Sequence, residues 1–526
     1  MPVWVGRVWV VPAAFLVAFL VVPLLALAQR TWSSTALLRL LDGQTWQIAA
    51  LATVQALVST ALALAVGLPI ANVVSRYRFP GRALTQALAT VPFVLPTVVV
   101  ALAMRSLLGA SLGQGFAVVV LAHAYVNLAV VVRIVGARWA QHDARYEATA
   151  RTLGASPWRA FTTVTLPMLR GSILSAAAVV FVFCFTSLGI VLILGDSSTR
   201  TLESRILRQA SLLLDFPGAA ATAVVQLLVV SAVLGLGAYA ARTAPAERLQ
   251  PASLRRLPRS RKGRVAVIGT AIATIAIVLV PIAALLRAAF VDNGSLTLAF
   301  WRAMSTIDAG TTRIGSPLDA VGTSLAYALL TAAIAGLVGG MAAIAALAPR
   351  VGWVVGAIAI APLGISAATL GLGTVLAYGR PPIDVRATGM LVPLAHALVA
   401  VPLVVAVAAP ALRAADSRLV LVAQTLGATR SRAFWTAYGP ILRVVMIAAA
   451  GLAGAVSLGE FGAASFLARA DNPTVPLLIV RLLARPGALS YGVAAGLAVV
   501  LVALTLLLVL AVDRLGRTAR VELAAT

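Results

Sequence analysis

The chain has 526 residues, of which 61% are hydrophobic and only 11% charged, with a formal net charge of +25. A soluble globular protein carries about 25% charged residues, so this composition excludes an ordinary soluble enzyme. The arginine excess raises a nucleic-acid reading, which the positions of those arginines then remove.

Apolar runs of about 20 residues, long enough for a helix to cross roughly 30 Å of hydrocarbon, lie near 8–28, 47–74, 85–108, 116–136, 172–194 and 219–241. A second set lies near 265–290, 321–347, 352–378, 388–411, 442–466 and 490–512. In lipid each backbone polar group must be satisfied within its segment, and barrel-type alternation is missing. The expected fold is an all-α polytopic membrane protein of about twelve transmembrane helices. The first run resembles a signal peptide, with Arg7 ahead of it and Ala26-Leu27-Ala28 at its end. Its length, and its mid-chain counterpart at 265–290 ("VVPLLALA" against "LVPIAALL"), predict that it is retained.

Arginines orient these runs. Residues 242–264 hold Arg242, Arg248, Arg255, Arg256, Arg259, Arg261, Lys262 and Arg264 against Glu247 alone, and Arg514, Arg517 and Arg520 follow the twelfth run. Basic loops stay in the cytoplasm. Both termini are therefore expected inside at the plasma membrane, the partner is the lipid bilayer, and nucleic acid is not needed to explain the charge.

Two polar stretches between these runs are copies. ARTLGASPWRAFTTVTLP begins at Ala150 and AQTLGATRSRAFWTAYGP at Ala423, an offset of 273 (423 − 150). His123 and His396 keep that offset, and Ser187-Leu188-Gly189 matches Ser457-Leu458-Gly459 at 270 (457 − 187). A repeat this long is a duplicated domain rather than a solenoid unit. The expected organisation is two parallel six-helix repeats: 1–241 as the first half, 242–264 as a basic cytoplasmic linker, and 265–526 as the second half, with a path at their interface.

Each copied stretch is too polar to insert and is rich in helix-compatible residues. Gly154 and Gly427 predict a turn. Pro167 and Pro440, thirteen residues further on, predict the end of a second short helix. Phe161 and Phe434 predict matching knobs for a partner that is itself a two-fold dimer.

These residues resemble the Glu-Ala-Ala loop of permease subunits in ATP-binding-cassette importers, in which glycine follows the triplet after three residues and Leu-Pro follows thirteen residues later. Gly154 with Leu166-Pro167 keeps that spacing, and so does Gly427 with Gly439-Pro440. The loop's glutamate falls on Ala148, with Glu147 one position early, and on Leu421 in the second copy. HAYVNLAVVVR (123–133) and SLGEFGAASFLA (457–468) are similar to segments of the fused thiamine and ferric-iron permeases, and residues 184–227 are similar to the thiamine permeases.

The resemblance implies a type I importer permease fold that translocates a small solute, thiamine as first choice and ferric iron second. It implies an ATPase homodimer docked at Glu147, Gly154, Ala155, Phe161, Pro167, Gly427, Ala428, Phe434 and Pro440. It also implies a solute-binding protein that meets the outer segments 195–218 and 469–489, each of which reads as a short amphipathic helix.

Lys262 is the only lysine and follows Arg261, so a phosphate-cradling Gly-Lys-Ser/Thr loop cannot form. The chain is expected to hold no cofactor and to be no enzyme, with ATP bound by a partner subunit. Cys184 is the only cysteine and is expected to pack inside a span. His123, His142 and His396 are scattered, so no metal is expected. The path candidates are Glu460, Asn127, Ser187, His123 and His396. Ionisable groups inside a span are costly. Glu460 accordingly either helps pass a cation or forms a helix-pinning ion pair, with Arg105 as its candidate partner. Asn127 is expected to hydrogen-bond between helices. The alternative class is a self-sufficient secondary transporter, which would need more buried ionisable groups than Glu460 supplies.

Overall fold

The structure is a computed structural model that describes every residue except 1–4, 6, 32–41, 142–143, 243–256, 259, 306–315, 349–351, 380–387, 417, 470 and 526. Most of the 242–264 linker, with Arg248, Arg255, Arg256 and Arg259, lies outside the described residues, as does His142.

Ten helices among the described residues are long and apolar enough to cross a membrane. The spans expected at 85–108 and 352–378 are each a bent pair instead: Arg82–Val94 with Thr97–Gly109 at 105°, and Gly352–Gly364 with Ala367–Tyr378 at 97°. Counting each pair once restores twelve. The first bend falls at Leu95-Pro96, both in extended backbone, as expected where a proline restricts the residue before it. At the second, Ser366 leaves the helical region and accepts the Thr369 backbone N–H at 3.0 Å, capping a new helix. An apolar run conceals both breaks, because Leu, Pro and Ile keep it apolar throughout.

The same order of helices occurs twice. Gly43–Arg76 corresponds to Pro317–Ala345, Phe116–Ala140 to Leu391–Arg413, Pro157–Phe185 to Arg430–Gly459, and Phe216–Tyr239 to Ala488–Val512. Phe116–Ala140 and Leu391–Arg413 are the central helices of their copies, with 83% and 72% of their apolar windows buried. Small residues let neighbours touch them. A side chain at Gly67 would lie 2.7 Å from Val131, and one at Gly339 would lie 2.6 Å from Val404. Close backbone approach of this kind drives helix association in lipid, where apolar burial gives no gain.

Packing divides the chain into two units: Asp42–Ser204 with Val225–Arg287, and Met1–Leu41 with Arg205–Val224 and Ala288–Thr526. These units depart from the covalent halves at the first span of each copy and at Arg205–Val224. Val10–Thr31 belongs with the second copy, where the Tyr378 hydroxyl donates to the Ala18 carbonyl at 2.6 Å. Arg261–Phe290 packs with the first copy. There the Tyr125 hydroxyl donates to the Val278 carbonyl at 3.2 Å, and Ile277 packs against Ile70, Val74, Leu128 and Val132. A span is a complete hydrogen-bonded unit in lipid, so complementary packing decides its neighbours and chain order does not.

Candidate functional site

The copied stretches build one local structure twice. Helices Ala144–Thr152 and Arg418–Thr425 precede the glycines. Ala155 N–H donates to the Ala150 carbonyl at 3.0 Å and Gly154 N–H to Arg151 at 3.1 Å. In the second copy Ala428 N–H donates to Ala423 at 2.9 Å and Gly427 N–H to Gln424 at 3.0 Å. Both glycines have φ +88°, the left-handed helix-ending position at which a Cβ is disfavoured. Ser156 and Thr429 then cap the following helices, accepting from Arg159 N–H at 3.2 Å and Arg432 N–H at 3.3 Å.

Two expectations about these stretches are corrected. Pro167 and Pro440 do not end a helix: Pro157–Phe185 and Arg430–Gly459 run through them, so the second part of each stretch begins the fifth span. Proline removes one N–H and crowds an earlier carbonyl. The wide π turn at Phe161–Thr165 loosens the helix just before Pro167. Near Pro440 the helix is held by its buried flank, Ala437 and Tyr438.

Phe161 and Phe434 do not project as knobs. Phe434 is 1% exposed, stacked on Tyr438 at 4.8 Å and edge-on to Trp435 at 5.6 Å. Phe161 is half-buried between Trp139 at 6.2 Å and Trp158 at 5.8 Å. Both anchor their helix inward. Trp158 projects in the first copy alone; the matched pair that does project is Leu153 and Leu426, 83% and 82% exposed, directly before the two glycines. Their only sequence signal is the shared Thr-Leu-Gly. Glu147 also turns inward and pairs with Arg76.

The path candidates other than Ser187 fall into two buried polar clusters, one around each histidine. In the second copy, Glu460 is paired with His396, which replaces the expected Arg105: Glu460 Oε2 lies 3.1 Å from His396 Nε2. The same carboxylate accepts from Ala463 N–H at 3.1 Å and Ala464 N–H at 3.3 Å. It thereby caps the short helix Ala464–Leu467, just after Arg430–Gly459 ends. His396 Nδ1 lies 2.8 Å from Ser457 Oγ, which accepts from Thr331 Oγ1 at 3.1 Å.

In the first copy, His123 Nδ1 lies 2.6 Å from Gln55 Nε2, which also donates to Ser59 Oγ at 3.1 Å. The Asn127 amide donates to the His123 carbonyl at 2.9 Å and to Cys184 Sγ at 3.5 Å, so its inter-helix bond is to sulfur. Ile190 holds the position that corresponds to Glu460. His123 Nε2, Gln55 Oε1 and Asn127 Oδ1 have no hydrogen-bond partner among the described residues; the same holds for the buried Ser187 Oγ and, in the second copy, for His396 Nε2. Gln55 and Ser59 escaped the sequence reading. The available signal was two polar residues one helical turn apart inside an apolar run.

The segments expected outside, 195–218 and 469–489, contain the helices Leu202–Ser211 and Val475–Leu483. Before the first, Asp196 accepts from the hydroxyls and backbone N–H groups of Ser198 and Thr199. Those bonds hold its carboxyl at about 2, below the ordinary 3.8. Among the described residues no group of three or more His, Cys, Asp or Glu could hold a metal ion.

Residues 63–245 match the family described as binding-protein-dependent transport system inner membrane component. The chain is similar to the molybdate/tungstate transport system permease protein of Thermococcus kodakarensis, 31% identical over 34% of this chain and 73% of that protein. It is also similar to the sulfate transport system permease protein of Escherichia coli, 30% identical over 32% of this chain and 65% of that protein. A third relative is the thiamine transport system permease protein of Brucella abortus, 30% identical over 35% of this chain and 36% of that protein.

Proposed function

Since the chain belongs to the family of binding-protein-dependent transport system inner membrane components, the permease subunits of ATP-binding-cassette importers, we propose that it forms the whole membrane passage of one importer. Its two covalently joined six-span halves alternate access for the solute. A solute-binding protein delivers solute outside, and an ATPase homodimer drives the cycle from the cytoplasm. Both termini and the 242–264 linker are cytoplasmic in this reading.

The observation that carries it is the duplicated helix–glycine–helix, with φ +88° at both glycines and an equally exposed leucine before each. Two identical ATPase subunits need two matching surfaces, and Leu153 and Leu426 supply them where Phe161 and Phe434 do not. The path candidates divide by role. Glu460 lies 3.1 Å from His396 and accepts from two backbone N–H groups at a helix start, which suits pinning. His123, Asn127 and Ser187 keep open hydrogen-bonding atoms, which suits contact with a passing polar group. For the solute we place thiamine first, on the similarity of residues 184–227 and on a thiamine permease among the relatives. Ferric iron follows. Sulfate and molybdate enter as the solutes that two other relatives' names carry.

The test is co-purification of the ATPase and uptake of labelled thiamine, ferric iron, sulfate and molybdate, for the wild type and for Gly154→Val with Gly427→Val. The double variant loses both the ATPase and uptake. An ATPase that stays bound, with normal uptake, overturns the coupling reading. Uptake with no ATPase encoded or bound favours the secondary transporter.

A further inference from the structure

Glu147 and Val420 occupy one register, each seven residues before its turn glycine (154 − 147 and 427 − 420). Both turn away from solvent, and each meets a different chemistry. Glu147 pairs with Arg76, the last residue of Gly43–Arg76, and the two side chains are only 15% and 17% exposed. Val420 packs against the apolar cluster that contains Leu412, Phe434 and Tyr438. The helix corresponding to Gly43–Arg76 is Pro317–Ala345, and residues 345–348 at its end read Ala-Ala-Leu-Ala; Arg350, further on, lies outside the described residues. Ala346 and Leu347 belong to the same cluster as Val420. Among the described residues, the same contact between a docking helix and the end of the second span of its copy is therefore ionic in one half and apolar in the other.

We infer that Arg76 and Glu147 are positioning residues that hold the first docking helix, Ala144–Thr152, at the angle its ATPase subunit requires. This rests on the docking reading above. Glu147, displaced by one position from the loop's usual glutamate, is committed to its own chain and does not reach the ATPase. A mostly buried pair behaves as a unit: removing one member leaves the other charge unpaired, whereas an apolar contact of similar shape does the same work without charge. Transmission through the first half therefore depends on this one pair, whereas the described contact at the matching site of the second half is apolar.

The experiment uses the full complex of this chain, ATPase and binding protein in lipid nanodiscs, reading ATP hydrolysis and ATPase co-purification. Arg76→Gln and Glu147→Gln each lower hydrolysis by about five- to tenfold, and the double variant is no worse, as coupled sites require. The exchanged pair Arg76→Glu with Glu147→Arg recovers hydrolysis to within about twofold, and so does the apolar pair Arg76→Leu with Glu147→Val, which copies the second half. Unchanged hydrolysis in both single variants with the ATPase still bound overturns the inference and leaves the docking reading intact. Failure of both paired variants to recover also overturns it, whether the complex is inactive or the chain is lost from the membrane. A wild-type chain that holds no ATPase removes the docking reading itself.

Discussion

Replacing Glu460 by alanine separates a structural carboxylate from one that handles solute. The side chain is 8% exposed and its His396 partner 0%. It accepts the N–H groups of Ala463 and Ala464 at the start of Ala464–Leu467. Alanine removes the cap, worth about 1 kcal/mol, and leaves the buried polar groups around it without their partner, about 1–3 kcal/mol. Glutamine keeps an amide oxygen for the two N–H groups and loses only the charge toward His396, about 1–2 kcal/mol at the level of a charge-assisted hydrogen bond. The expected order of stability is wild type, Glu460→Gln, Glu460→Ala. The assay is the thermal midpoint of a fluorescent fusion in detergent, with membrane protein level and uptake measured in parallel. Alanine should lower midpoint and level, with uptake falling in proportion to level. Full level and an unchanged midpoint for Glu460→Ala, with uptake lost, would refute the pinning argument and return the carboxylate to the path.

Phe434→Ala empties a fully enclosed ring site and should cost about 3–5 kcal/mol, read as lost protein level. Leu426→Ser should keep the level and lose ATPase co-purification, because that side chain is 82% exposed. A cysteine at Ser260 in a Cys184→Ser background should resist membrane-impermeant maleimide in intact cells, and ready labelling would contradict a cytoplasmic linker. Asp196 is depressed in the folded chain, so its contribution is complete above the ordinary 3.8 and fades as pH falls through about 2. Hydrogen exchange across residues 195–201, corrected for intrinsic rate, should be flat from pH 7 to pH 4 and accelerate below. Acceleration already near pH 5 would contradict the depressed value.

The amino-acid sequence by itself determined the fold class, the number of apolar segments and the duplication. Each of these rests on local composition or self-similarity: a span is recognisable because its backbone bonds close within the segment. Gly154 and Gly427 were equally legible, since a left-handed helix end leaves few alternatives to glycine. What the sequence did not determine is which way side chains face once helices pack. Phe161 and Phe434 look like knobs in a string and become anchors because Pro157–Phe185 and Arg430–Gly459 continue into the spans. Proline's tendency to stop a helix yielded to a π turn in one copy and to buried flanks in the other. The partner of Glu460 is another case. His396 lies 64 residues away in sequence (460 − 396), and only the packing of Leu391–Arg413 beside Arg430–Gly459 brings the imidazole to the carboxylate. Tertiary structure alone also decided that Val10–Thr31 and Arg261–Phe290 pack outside their covalent halves. Helices complete in their own hydrogen bonds choose neighbours by surface fit, and surface fit is not written at any one position.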